Sequence, residues 1–160
     1  MEIVPVVTPG DLEDIKSLFR EYFAWIDHEL KADISYQNVE AELLNLPGYY
    51  SPPAGCLLIA KIEGQTAGCI ALRPLGETIC EMKRMYVMPQ YRGKSLGRAL
   101  CERLINEAKK IGYQVMRLDT EISLAAAQHL YHSLGFKVIQ PYYAVPPEIL
   151  KRSIFMELVL

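Results

Sequence analysis

The sequence has little charge of either sign in excess. Its 17 lysines and arginines nearly balance 19 aspartates and glutamates, leaving a formal charge of -2 at pH 7. It therefore offers no overall positive field to nucleic acid or to an anionic membrane surface, and a charged ligand needs a local site. No apolar run approaches the roughly 20 residues that cross a bilayer. The opening MEIVPVV has an acidic second residue and no basic stretch before a long apolar segment, so it does not read as a secretory signal. A cytoplasmic protein is expected. Cysteine is sparse: Cys56, Cys69, Cys80 and Cys101 lie far apart in apolar stretches with no C-x-x-C pair. They read as small buried hydrophobes in a reducing compartment rather than zinc or redox groups. His129 and His132 have no third ligand nearby in the sequence and read as surface residues, so no metal is expected. Internal repeats and low-complexity tracts are absent.

What is present is the pattern of one domain over residues 1–160, long enough to bury its own core. Residues 2–7 read as a strand. Thr8, Pro9 and Asp11 then supply an N-cap, a first-turn proline and a third-position acid for a helix whose Leu12, Ile15, Phe19, Tyr22 and Ile26 recur at helical spacing. Ser35 is expected to cap a shorter helix carrying Val39, Leu43 and Leu44, stopped by Pro47 and Gly48. From Cys56 the period becomes that of strands: CLLIAKIE, TAGCIALRPL and ICEMKRMYVM, joined by turns at Gly64 and Gly76. The third departs from alternation at Met85, Tyr86 and Val87, which predicts a bulge or a doubly buried stretch.

After Pro89 the helical period resumes from about Ser95, with Leu96, Leu100, Leu104, Ala108 and Ile111, and Gly112 closes it. A strand, YQVMRLDT, follows. Ser123 is expected to cap a helix with Ala127, Leu130, Tyr131 and Leu134 inward, ended by Gly135 before the strand FKVIQ. Residues 141–152, with three prolines, read as loop before a last strand, SIFMELVL. The order predicts an α/β sheet of mixed direction covered by helices.

The most informative stretch joins the strand ending at Met88 through PQYRGKS to the long helix. Unpaired amides of a first helical turn and the helix dipole suit a phosphate there, and Gly93, Gly97, Arg92, Lys94 and Arg98 add close approach and charge. A P-loop needs glycine five residues before Gly93, and that position is Met88. A dinucleotide fold needs G-x-G-x-x-G after a first βαβ strand, which is also absent. On the turn alone, an ordinary basic, glycine-containing helix start remains open.

KRMYVMPQYRGKSLGRALCERL, followed by LDT and AAAQHLYHSLGF, resembles the GNAT superfamily of acyl-coenzyme A dependent N-acetyltransferases, over about residues 80–138. The resemblance implies a central, mostly antiparallel sheet of about seven strands with about four helices on its faces. The family pattern R/Q-x-x-G-x-G/A is met by Arg92, Ser95 and Gly97, with serine replacing the middle glycine. By this resemblance Arg92, Gly93, Lys94, Ser95, Leu96, Gly97 and Arg98 hold the coenzyme's phosphates. The strand at Met85, Tyr86 and Val87 would splay from its neighbour and pair with the pantetheine arm. Tyr131 matches the tyrosine near the thioester sulfur. Many members place an asparagine seven residues earlier; Leu124 stands here, and Gln128 is the candidate to supply the missing contact.

Acylation of an amine needs a neutral nucleophile, a stabilised oxyanion and a protonated leaving thiolate. An alkylamine with pKa about 10.4 costs roughly 4.6 kcal/mol to deprotonate at pH 7. Glu81, an acid within an apolar strand, is a candidate base, with an outward-facing strand acid beside Lys83 as the competing reading. The amide of Val87 can polarise the thioester carbonyl. Tyr131 would protonate the leaving sulfur, uphill by about 2 kcal/mol for a phenol near 10 and a thiol near 8.5; a core aromatic is the competing reading. Asp119 reads as a cap or a structural acid.

On the acceptor side, Tyr22, Trp25, Tyr36, Tyr49 and Tyr50 accompany Glu21, Asp27 and Glu29, a set that suits a cationic amine, although Tyr22 belongs to a core stripe. The resemblance implies that the first helices and the loop at 141–152 wall this site. The expected function is transfer of an acetyl group from acetyl-coenzyme A, without a metal, to a primary amine of a small molecule or peptide. Neither nucleic acid nor membrane is an expected partner, and a homodimer is left open. A non-catalytic acyl-coenzyme A sensor is the competing expectation, kept by Ser95 and Leu124.

Overall fold

The computed structural model describes residues 1–160. Strand β1 (Glu2–Pro5) leads into α1 (Pro9–Trp25) through a capping box. Thr8 Oγ1 accepts from the Asp11 amide at 3.1 Å, and the Asp11 carboxylate accepts from the Thr8 amide at 3.1 Å. The Thr8 hydroxyl at 2.8 Å and Lys61 Nζ at 3.1 Å also donate to that carboxylate. These bonds, the Thr8 amide foremost, hold the Asp11 carboxyl well below the usual carboxylate range. The end of α1 widens into one π-helical turn, Ile26–Leu30, closed by Lys31 at φ 47°.

Ser35 does not cap α2 as expected. It lies in a separate 3-10 turn, Ser35–Gln37, and Asn38 at φ 53° redirects the chain before α2 (Val39–Asn45). Asp33 explains the difference, because its carboxylate accepts the Ser35 amide at 2.8 Å and starts a turn there. Leu44, read as an inward residue, is exposed.

The sheet continues with β2 (Cys56–Ile62), β3 (Gln65–Pro74) and β4 (Ile79–Val87); α3 (Leu96–Ile111), β5 (Val115–Glu121), α4 (Ala125–Ser133), β6 (Lys137–Ile139), α5 (Pro147–Leu150) and β7 (Ser153–Val159) complete the chain. Its seven strands run in the order β1-β2-β3-β4-β5-β7-β6, and every neighbouring pair is antiparallel except β4 with β5. The fold is the mixed α/β sheet that the pattern of elements predicted, with five helices. The short α5 falls in the stretch read as loop, where Pro147 sits at the first helical position. Ser123 is not the side-chain cap of α4; its amide donates instead to Glu121 at 2.7 Å.

Two cores cover the two faces. Ile15, Leu18 and Phe19 of α1 pack with Leu43, Ile59 and Cys69 on one side. Leu100 and Leu104 of α3 pack with Leu58, Ile70, Leu72 and Met116 on the other, where Tyr131 of α4 joins them.

Two irregularities position the site. Ala71 pairs with Lys83 while Cys69 pairs with Tyr86, so Arg84 and Met85 together oppose Ile70. This is a bulge, with Arg84 at φ 55°, at the position where sequence alternation fails. Gly68 permits the strands to close again beyond it, since a Cβ there would meet the Tyr86 carbonyl at 2.5 Å. The second irregularity is the brevity of the parallel seam. Only Ile79, Cys80 and Glu81 pair with Val115, Met116 and Arg117, after which β4 and β5 part.

Candidate active site

A cleft of about 570 Å³ opens where β4 and β5 separate. Its walls are the ends of those two strands, the starts of α3 and α4, and the segment from the end of α1 to Gln37.

At one end lies the turn into α3. Gly93 takes φ 76° and Ser95 φ 59°, both left-handed, and the Ser95 side chain caps nothing. The first backbone bond of the helix is from the Ala99 amide to the Ser95 carbonyl, so the amides of residues 93–98 donate to no backbone carbonyl. Six such donors beside the positive end of a four-turn helix can hold an anion with little help from side chains. The basic side chains contribute less than their number suggests. Arg92 Nε donates to the Val87 carbonyl at 3.0 Å and its guanidinium lies 5.3 Å from the Trp25 ring centroid. Lys94 stands over Tyr91 and does not line the cleft, whereas Arg98 does, reaching Ser133 and Glu102.

Along the middle, β4 offers a free edge. The Met88 amide donates to the Ala67 carbonyl at 3.0 Å, and strand alternation turns the amides of Val87 and Met85 the other way, toward the cleft. Opposite them stands Tyr131, its ring 5.8 Å from that of Phe136 and its hydroxyl without a protein partner among the hydrogen bonds. Burial pushes this phenol well above its usual value. Leu124 lines the wall, an apolar contact where the family pattern often has an amide. Gln128 does not replace that amide: its Nε2 donates to the Ile122 carbonyl at 2.8 Å, tying down the turn between β5 and α4, and it stays outside the cleft.

The far end is built from charged side chains. Arg84 grips both carboxylate oxygens of Glu42, with its Nε at 2.9 Å, and donates to Gln37 Oε1 at 2.7 Å. Tyr50 also donates to Glu42, at 2.7 Å. Lys83, only 8% exposed, reaches Gln37 Oε1 at 3.4 Å and stops 3.6 Å from Asp119 Oδ1. Burial pushes the Lys83 ammonium below its ordinary pKa, and Asp119 partly offsets this.

Asp119 is not a cap. It sits within β5 and lines the cleft beside Lys83 and Tyr131. Glu81 has the opposite fate, because it lies at the paired end of the seam, fully buried, and does not line the cleft. Arg73 Nε occupies one of its oxygens at 2.5 Å and the Tyr142 hydroxyl the other at 2.7 Å. The sequence signal that could have found Lys83 and Arg84 is the pair of adjacent cations inside the apolar strand ICEMKRMYV. On the acceptor side Tyr22, Trp25 and Tyr36 line the cleft, while Glu21, Asp27 and Glu29 do not; Tyr49 is exposed and Tyr50 serves the Glu42 pair. Ile149 and Arg152 contribute from the segment expected to wall the site.

A sequence model of the acetyltransferase (GNAT) family matches residues 12–136. The chain belongs to the GNAT family. An uncharacterized N-acetyltransferase of Schizosaccharomyces pombe is 44% identical over 148 residues, 91% of this chain and 88% of that protein. The N-acetylaspartate synthetase of Mus musculus is 32% identical over 112 residues, 68% of this chain but 38% of that longer protein. A crystal structure of an acetyltransferase from Streptococcus agalactiae shares the fold with a TM-score of 0.81 at 23% identity, over 99% of this chain and 98% of that one. This GNAT protein is accordingly an acyltransferase that uses acetyl-coenzyme A to acetylate an amine. No helix is long and apolar enough to cross a membrane, and no group of three or more His, Cys, Asp or Glu side chains is placed to hold a metal.

Proposed function

We propose that this GNAT enzyme acetylates a primary amine of a small molecule by direct attack on the thioester, with each step assigned to a place in the cleft. The observation that carries the proposal is the parting of β4 and β5 between the free amides at residues 93–98 and the carboxylate of Asp119. The coenzyme's diphosphate lies on those amides, with Arg98 beside it. The pantetheine arm runs along Met85, Tyr86 and Val87, whose outward amides replace the bonds that β5 no longer makes. The amide of Val87 also polarises the thioester carbonyl.

The acceptor enters from the side of Tyr22, Tyr36 and Lys83. An ammonium must lose two protons to become an amide. Asp119, the cleft carboxylate without a hydrogen bond in the structure, takes the first and passes it to solvent; the apolar walls favour the neutral amine. Nitrogen then bonds to the carbonyl carbon and the carbon–sulfur bond breaks. Tyr131 protonates the departing thiolate, and the second amine proton returns through water to the phenolate. The raised Tyr131 pKa makes this transfer costlier than the roughly 2 kcal/mol of an unperturbed phenol and thiol. The Mus musculus relative, named for making an N-acetylated amino acid, supports a small acceptor. The free cysteines, three of them buried, support a reducing, cytoplasmic setting.

The test is a thermal shift with acetyl-coenzyme A, coenzyme A and ATP, followed by thiol release across an amine panel. Stabilisation by both coenzyme forms and thiol release with a free amine are expected. Stabilisation by ATP alone would sink the assignment of the turn.

A further inference from the structure

Lys83, Arg84 and Arg152 line the cleft and Arg73 lies outside it; each faces a carboxylate, but not equally. Arg84 is hydrogen-bonded to Glu42 at 2.9 Å, Arg73 to Glu81 at 2.5 Å, and Arg152 to Glu121 at 3.0 Å. Lys83 and Asp119 are the exception: their atoms stand 3.6 Å apart, beyond a hydrogen bond, on the two strands that diverge. The Lys83 ammonium has three protons to donate, and its one hydrogen-bond acceptor is Gln37 Oε1 at 3.4 Å, which also accepts a shorter bond from Arg84. A desolvated cation is thus left with weak partners at the edge of a cleft, next to a carboxylate in the same state.

We infer that the acceptor is a free amino acid of no net charge, whose ammonium lies on Asp119 and whose carboxylate lies on Lys83. The inference rests on the acetyl-transfer reading and names the substrate class for that same site. A zwitterion satisfies both loosened groups at once. It also leaves the buried charges balanced, as the four pairs now are. A simple cationic amine would add a positive charge beside Lys83 and Arg84 without a counter-ion, and an acidic amino acid would add a negative one. An amine at a peptide N-terminus would leave Lys83 facing an uncharged amide. Beyond the pair, the walls toward Ile26, Leu30, Ile34 and Ile149 are apolar, which suits an uncharged side chain.

The experiment measures thiol release from acetyl-coenzyme A by the full chain with matched acceptors. Alanine, valine and leucine are each compared with their C-terminal amides and with the amines lacking the carboxyl group, and aspartate and lysine complete the panel. In at least one set, kcat/KM for the neutral amino acid is expected to exceed that for its amide and its amine at least tenfold, and to exceed that for aspartate and lysine. Lys83→Met should bring the ratio within a set to near one, mainly through KM, while Lys83→Arg retains it. Melting temperature and coenzyme stabilisation of both variants separate loss of recognition from loss of fold. Ratios near or below one in every set, a preference for aspartate or lysine, or a preference that survives Lys83→Met overturn the inference. If no acceptor releases thiol, acetyl transfer to small amines fails. Saturation-transfer NMR of leucine against leucinamide on the coenzyme A-loaded protein then decides the carboxylate site, and equal signals overturn it.

Discussion

The Lys83 ammonium stops 3.6 Å from the Asp119 carboxylate, across the gap that opens when β4 and β5 cease to pair. In the proposed mechanism Asp119 receives the acceptor's proton. Asp119→Asn keeps the shape and removes the charge; it should lower kcat about 10²-fold, the lower end of what a positioned base contributes. Glu81→Gln should leave the chemical step less affected and act mainly on stability, since Glu81 holds Arg73 and Tyr142. The two variants are compared by steady-state thiol release and by urea melts. A larger fall in kcat for Glu81→Gln would reverse the assignment.

Tyr131 faces the cleft with an unpaired hydroxyl. Tyr131→Phe should reduce kcat by roughly tenfold to a hundredfold, at or below the usual range for a positioned acid because the phenol is a poor donor, with coenzyme affinity nearly unchanged. Single-turnover kinetics together with a coenzyme A titration distinguish the two quantities. Unchanged turnover would remove Tyr131 from the acid role.

Ser95 adopts φ 59° at the start of α3 without capping the helix. A side chain in that conformation costs roughly 1 kcal/mol that glycine does not incur. Ser95→Gly should therefore raise stability by about that amount, while Ser95→Val, with its β-branched side chain, should lower it. Thermal melts of the three proteins without ligand give the order.

Asp11 carries the clearest acid dependence. Its carboxyl is held well below the ordinary value of 3.8 by the Thr8 amide and hydroxyl and by Lys61. The unfolded chain binds a proton at Asp11 before the folded one does. The stabilisation is complete above pH 3.8 and is lost as pH falls toward the lower folded value. Stability measured by urea at descending pH should decline through that window, and Asp11→Asn should flatten the decline while costing stability at pH 7. Thr8→Ala should cost about 1 kcal/mol at neutral pH through the lost cap.

Much of this arrangement is legible in the sequence because it rests on local signals. Thr8 with Asp11 announces α1, Gly112 closes α3, and the broken alternation at Met85–Val87 marks the bulge. The errors come where an acid two residues upstream draws a serine into a turn of its own. Asp33 takes the Ser35 amide and Glu121 the Ser123 amide, so neither serine caps the helix that follows. Glu81 and Asp119 differ in a way that no local signal carries. Both are acids within strands, and only pairing tells them apart: one lies where β4 and β5 are zipped, the other where they are open. Such long-range register leaves no periodic trace in either segment. The reach of Arg92 to Val87 and of Arg84 to Glu42 is likewise a matter of tertiary distance.

The shortness of the β4–β5 seam bears on more than access to the cleft. The strands β1 to β4 form one ribbon and β5 to β7 another, and three residue pairs are the only backbone ladder between them. An arm of coenzyme lying on the free edge of β4 behaves as a borrowed strand, lending rungs that the chain itself lacks. On the proposed placement, the two ribbons would be held as one body most firmly while the donor is aboard, and loading the substrate would complete the sheet.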